Sequence, residues 1–319
     1  MSRGSVGAAD EGIVPPVMRT CVILNPRAGG AEAIRESLRQ AILRLDGIVV
    51  RETERAGGAR ALAASAVAEG FERLIAGGGD GTLNEVLNGV APDFDRVELG
   101  LVPAGTGNDL ARTLGIPSDP EAAVDVLARG AVRSLDVARL QTEGDDRWFL
   151  NVSAGGFGGE VDEHLRAEIK EVWGPLSYIR TAFEALAELE TYRVRLTFEP
   201  GSPEAEILEV AAVNVVVANG RYVAGGLHVA PTAAPDDGLL DLVVIRAAPI
   251  PRLSLLAPQV ALGQHLDHEL ILHRRVRSLA VESEPAMHFN ADGELAGATP
   301  VRYQVVPGAV RFVTPPAEP

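Results

Sequence analysis

The chain has 319 residues, 46% of them hydrophobic and 23% charged, with 44 acidic against 29 basic side chains and a formal charge of −15. That length exceeds a common single domain, so two domains are expected, and the excess of carboxylates argues against nucleic acid as a general partner. The one cysteine, Cys21, excludes an internal disulfide framework and a cysteine-based zinc site, which suits a reducing cytoplasm.

Residues 1–17 are small, polar and proline-containing, and read as a flexible tail without the apolar core of a signal peptide. No run of about 18 apolar residues lacks a charge or a proline, so no segment is expected to span a membrane. From Arg19 strand and helix signals alternate, the pattern of an α/β domain with a largely parallel sheet. Thr20–Leu24 reads as a strand ending in the turn-rich Asn25-Pro26-Arg27-Ala28-Gly29-Gly30. A helix over 31–45, a strand over 48–51 and an alanine-rich helix over 59–69 follow. The apolar Leu74-Ile75-Ala76 then feeds Gly77-Gly78-Gly79-Asp80-Gly81, and Thr82 opens a segment with Leu83, Val86 and Leu87 at helical spacing. A fourth strand over 98–102 runs into Pro103-Ala104-Gly105-Thr106-Gly107-Asn108-Asp109 and another helix. Three polar, glycine-bearing loops thus leave strand ends on the edge where open α/β sheets bind ligands.

Near Ser134 the strands become longer and more β-branched: 135–140, 148–153, 192–198, 206–217, 239–245, 277–281 and 301–306. Helical signal is confined mainly to 159–189 and 252–266. The expected fold is a three-layer α/β nucleotide-binding domain (18–134) followed by a mainly antiparallel β-sandwich (135–306). The closing segment, 307–319, is expected to pack back on the first domain.

The glycine loop carries the chemistry. Bare backbone N–H groups at a helix N-terminus favour a phosphate, and three glycines let it lie on the main chain. Asp80 would repel that phosphate unless a divalent cation lies between them, so Mg²⁺ is expected with it. Thr82 caps the helix or touches phosphate. A Walker loop is excluded, because the only lysine, Lys170, is far from any glycine loop.

Asn25-Pro26, Gly77 to Thr82, Pro103 to Asp109, Ala218-Asn219-Gly220, Asp236-Asp237-Gly238-Leu239-Leu240 and Asp292-Gly293-Glu294 occur in the order seen in the diacylglycerol kinase catalytic-domain family. Over roughly 19–315 the chain resembles the soluble bacterial lipid kinases of that family, which also includes sphingosine kinases. The resemblance implies phosphorylation of a lipid hydroxyl by ATP with Mg²⁺. It places Asn25, Pro26, Thr53, Gly77, Gly78, Gly79, Asp80, Gly81, Thr82, Asn84, Thr106 and Asn108 at the nucleotide. It makes Asp292 the general base, with Glu294 assisting at the metal beside Asp80. It further implies a structural Mg²⁺ on the Asp237 carboxylate and the carbonyls of Ala234 and Leu239. Where family members often carry serine and then a basic residue in the first loop, this chain has Ala28 and Gly30 or Ala31.

The acceptor is open among diacylglycerol, phosphatidylglycerol and sphingoid bases. The expected partner is a lipid at a membrane surface, reached from the cytoplasm through a transient peripheral contact, with a homodimer left open. For lipid contact the candidates are 151–159, with Phe157, and Trp173 to Leu176. The apolar 253–262 reads first as an amphipathic core helix, with bilayer contact as the second reading, and the cationic His273 to Arg277 reads first as a solvated strand edge, with attraction to anionic headgroups as the second. Two rivals stand beside the lipid kinase: a kinase of a soluble acceptor such as NAD, whose kinases share a related loop, and a catalytically silent nucleotide-binding regulator.

Overall fold

The computed structural model describes residues 18–28, 32–42, 47–156 and 190–316. The expected tail, the end of the first loop at 29–31, the helix at 159–189 and the lipid-contact candidates Phe157 and Trp173 to Leu176 lie outside the described residues.

The first half alternates strand and helix: β1 (Thr20–Leu24), α1 (Glu32–Ile42), β2 (Ile48–Glu52), α2 (Gly58–Ala68), β3 (Arg73–Gly78), α3 (Asp80–Val90), β4 (Glu98–Pro103), α4 (Asp109–Leu114) and α5 (Pro120–Arg129). Its strands pair in parallel in the order β2-β1-β3-β4. β1, β3 and β4 are buried almost throughout, as expected of a parallel sheet covered by helices. The strand order reverses at β1, so the loops leaving β1 and β3 open a crevice at their C-terminal ends.

The second half is antiparallel: β5 (Ala131–Gln141), β6 (Asp146–Phe149), β7 (Val152–Gly156), β8 (Tyr192–Phe198), β9 (Glu206–Ala218), the short hairpin β10 (Tyr222–Val223) and β11 (Leu227–His228), β12 (Leu240–Arg246), α6 (Ile250–Ala261), β13 (Ile271–Val276), β14 (Ser278–Glu284), β15 (His288–Ala291), β16 (Glu294–Ala298) and β17 (Val301–Thr314). Alternating burial in β8 shows the one-sided patterning of such strands.

β17 joins the two halves. It pairs antiparallel with β14 and β5, passes an irregularity between Val306 and Val310, and then runs parallel to β4 through Arg311 and Phe312. One continuous sheet therefore reaches from β2 to β16. Asp136, 1% exposed, fixes the irregularity by accepting from Gly308 N at 2.7 Å, and its other oxygen accepts from Gly238 N at 2.7 Å. Burial raises its pKa, against the pull of these two N–H groups.

Several expected elements differ in detail: the strand expected over 301–306 runs on to Thr314, and the one expected from Leu135 begins at Ala131. The run at 148–153 is two strands, because Leu150 and Asn151 leave the ladder to turn their N–H groups onto Asp292. The strand expected from Arg277 begins at Ser278, and β13 precedes it. Helix α5 carries its own signals, Asp119 accepting from Ala122 N at 2.9 Å and proline at the first turn.

Candidate active site

The three glycine-bearing loops converge. Asn25 at the end of β1 donates its N–H to Gly77 O at 2.9 Å, and its side-chain amide donates to Thr82 Oγ1 at 3.2 Å. Pro26 follows it at the half-buried rim. Thr53, buried after β2, donates its N–H to Leu24 O at 2.9 Å and lines a cleft with Asn25, Arg27, Thr82 and Glu85. Glu85 is already engaged, accepting from Gly57 N and Ala59 N at the start of α2. Gly78 lets Thr82 fold back: a Cβ there would stand 2.4 Å from Thr82 Oγ1. Gly79 and Gly105 cross backbone on backbone, a Cβ on Gly105 falling 2.6 Å from Gly79 Cα. The N-terminus of α3 has no side-chain cap, which leaves its first-turn donors facing the crevice.

In the loop after β4, Asn108, in a left-handed conformation at φ 50°, closes the turn on itself: it accepts from Gly105 N at 2.9 Å and donates to Gly105 O at 2.8 Å. Thr106 is exposed at its tip. Asp80, half-buried, accepts from Leu110 N at 3.3 Å. Beside it Asp109 is buried, accepts from Gly225 N at 3.0 Å, and has an Oδ1 with no partner. Burial lifts its carboxyl to about 6, and the neighbouring Asp80 charge adds to the rise. Arg112 spans the same junction, donating to Gly225 O at 3.3 Å and lying over the Tyr222 ring at 5.8 Å. The β10–β11 hairpin therefore clasps the glycine-bearing loop after β4, a contact that its two-residue strands left unreadable in the sequence.

From the second half, Asp292 sits after β15 at φ 48°, its own N–H on Val152 O at 2.9 Å. Its Oδ1 accepts from Asn151 N at 3.1 Å and Val152 N at 2.9 Å, and its Oδ2 from Leu150 N and Asn84 Nδ2, both at 3.1 Å. Desolvation raises the carboxyl to about 6 despite these bonds, with a smaller contribution from Asp80. Asn84 is held by Asn88, whose amide donates to Asn84 Oδ1 at 3.1 Å, while both amides donate to Trp148 O. The helix that begins at the glycine loop thus directly orients the carboxylate of the other half. Asn88 is not foreseen by the motif reading. Two asparagines four apart on an otherwise apolar helical face were the available signal. Glu294 is exposed, with Oε1 3.8 Å from where a Cβ on Gly81 would stand. Asp80, Asp292 and Glu294 are therefore brought to one crevice.

Asp237 lies apart from it. One oxygen accepts from Leu239 N at 3.0 Å and the other is ion-paired with Arg275. Asp236 pairs with Arg133 in the same turn. Among the described residues no group of three or more His, Cys, Asp or Glu side chains is arranged to hold a metal. Ala234 and Leu239 flank Asp237 in this turn, half-buried.

An α/β half with three convergent glycine loops, facing a half-buried carboxylate on an antiparallel half, defines a phosphotransferase of the two-domain kinase type. Residues 19–140 match the diacylglycerol kinase catalytic domain, and 151–314 match the YegS C-terminal NAD kinase beta sandwich-like domain. A diacylglycerol kinase of Staphylococcus epidermidis is 30% identical over 93% of this chain and 92% of its own. One from Staphylococcus saprophyticus is 29% identical over 93% and 95%. A crystal structure of a diacylglycerol kinase candidate from Bacillus anthracis superposes with a TM-score of 0.78 at 27% identity, covering 93% of this chain and 97% of the other. The chain belongs to the diacylglycerol kinase catalytic-domain family and is a diacylglycerol kinase-like kinase.

Proposed function

We propose that the chain transfers the γ-phosphoryl group of Mg·ATP to the hydroxyl of a membrane lipid. The observation that carries this reading is the Asn84 bridge, which ties the glycine-loop helix to the Asp292 carboxylate across the crevice. The α- and β-phosphates lie against the N–H groups of Gly77 to Thr82, with Asn25, Thr53, Thr106 and Asn108 around the nucleotide. Asp80 is the carboxylate suited to Mg²⁺, and the unpartnered Asp109 Oδ1 beside it fits a site that expects a cation or its water. When bound, Mg²⁺ neutralises charge on the transferring group, a need sharpened by the lack of a Walker lysine.

Asp292 takes the proton as the lipid oxygen attacks the γ-phosphorus and ADP leaves. A carboxyl held near 6 is ionised at neutral pH and remains a competent base. Its four acceptor directions are filled in this structure, so the lipid hydroxyl replaces the one side-chain donor, Asn84. That same saturation favours a second reading, in which Asp292 anchors the Leu150 to Val152 corner and the exposed Glu294 takes the proton. A metal on Asp237 with the Ala234 and Leu239 carbonyls would brace the second half once Arg275 swings away. Arg275 Nε is 3.6 Å from Asp241 Oδ2, a buried oxygen without a hydrogen bond, so an alternative seat exists for it.

Incubation with ATP and a panel of diacylglycerol, phosphatidylglycerol, a sphingoid base and NAD tests the reading. A phosphorylated lipid supports it; phosphorylated NAD alone replaces it with the soluble-acceptor kinase. ATP binding without any product leaves the silent regulator.

A further inference from the structure

Helix α6 has two apolar faces. Leu253 and Leu256 are buried against the second half. On the opposite side Pro251, Leu255, Pro258 and Leu262 are all exposed at spacings of four, three and four, which is one continuous stripe. Leu255 is 70% and Leu262 67% exposed, with Ile250 at 44% beside them. A helix that only covered a core would turn polar residues outward there. From 247 to 263 the only charged residue is Arg252, and its charge is met by Glu269. In a chain of net charge −15 the helix itself carries no carboxylate, and Glu269, paired with Arg252, stands at its flank. In sequence, the next acidic side chains after the helix are Asp267 and Glu269, beyond its C-terminal end.

The inward side of the helix packs beside the candidate active site. Leu256 and Val260 pack in one cluster with Val223 and Val229, around the β10–β11 hairpin. That hairpin holds Asp109 through Gly225 N, and its Gly225 O accepts from Arg112 of α4. We propose that the Leu255–Leu262 stripe of α6 is the bilayer-docking surface of this protein, seating it in the interface where its substrate resides. This assignment rests on the lipid-kinase reading for its purpose and on the stripe for its place. A second copy is the weaker occupant: a helix of twelve residues is about 18 Å long and offers roughly 200 Å², against about 800 Å² per partner in a stable dimer. Lipid has no such minimum, because a few apolar side chains inserted among headgroups suffice for reversible contact.

The test uses the full chain and vesicles of phosphatidylethanolamine and phosphatidylglycerol containing diacylglycerol. Leu255→Ser combined with Leu262→Ser is expected to lower the vesicle-bound fraction in sedimentation roughly tenfold. Turnover on vesicles falls with it, while turnover on a short-chain diacylglycerol dissolved as monomer stays at the wild-type value. Separately, Leu255→Trp should add a fluorescence that shifts to the blue when vesicles are present. Unchanged sedimentation of the double variant, or an introduced tryptophan whose emission is indifferent to vesicles, overturns the docking face. So does light scattering in which the double substitution dissolves a wild-type dimer while vesicle binding persists, because a second copy then occupies the stripe. Sedimentation and fluorescence need no turnover, so they decide the docking face even if product analysis rejects the lipid-kinase reading.

Discussion

Replacing Asp292 with asparagine separates catalysis from architecture at the centre of the site. The carboxylate accepts four N–H groups, three of them backbone. An asparagine keeps Asn151 N and Val152 N on its oxygen but turns its own NH₂ toward Leu150 N and Asn84 Nδ2, two donors facing a donor. Losing two charge-assisted bonds costs roughly 3–6 kcal/mol. Against this, holding the carboxyl near 6 rather than 3.8 costs about 3 kcal/mol at neutral pH, a penalty the neutral amide escapes. The net destabilisation is therefore about 0–3 kcal/mol, small enough for the variant to fold. Thermal unfolding and ATP binding would establish that, and kcat/KM on lipid should then fall by roughly 10²–10⁴ if a general base has been removed. A folded, ATP-binding Asp292→Asn enzyme turning over within about threefold of wild type would refute the base assignment. If Glu294→Gln carried the loss instead, Asp292 would be the anchor and Glu294 the base.

The pH dependence has a definite sign. Asp292 and Asp109 are both raised from 3.8 to about 6 in the folded chain. Each therefore contributes stability that is full below pH 3.8 and lost as pH rises through about 6. Unfolding temperature should drop across that window, and Asp109→Asn should flatten the drop. Activity runs the other way, with an acidic limb in kcat/KM near pH 6 as Asp292 gains its proton. At the loop crossing, Gly105→Ala places a methyl 2.6 Å from Gly79 Cα. Strain of about 1–3 kcal/mol should part the two loops and weaken ATP binding more than lipid binding, as calorimetry with each ligand would show. For the Asp237 turn, the exposed ion pair with Arg275 is itself worth under about 1 kcal/mol. If Mg²⁺ sits there, chelation should lower the unfolding temperature of the wild type but not of Asp237→Ala. An equal response of both proteins would remove the metal from that turn.

The first half is legible in the sequence because each of its elements carries local signals. Buried parallel strands are short apolar runs, and the glycine loops mark their ends, so β1, β3 and β4 fall within a residue or two of expectation. Asp119 and Pro120 announce α5 equally clearly, and reading outward from the motifs passes over them. In the second half, strand existence is readable but the break at Leu150 and Asn151 is not. It is imposed by a carboxylate some 140 residues away. The same holds for the Asn84 amide: the motif places it at the nucleotide, whereas its hydrogen bonds run to Asp292 and Trp148. Helix α6 shows the limit of periodicity most plainly. Its apolar content reads first as a core helix and second as a bilayer contact, and the packed structure shows that Leu255 and Leu262 face away from the core.

Phosphoryl transfer to a lipid can be read by mass spectrometry of a total lipid extract and of NAD after incubation with the protein and ATP. A lipid is expected to gain one phosphoryl group only when ATP and Mg²⁺ are both present, and no such product is expected with Asp80→Ala. Phosphorylated NAD with every lipid unchanged, or bound ATP with no product at all, would contradict it.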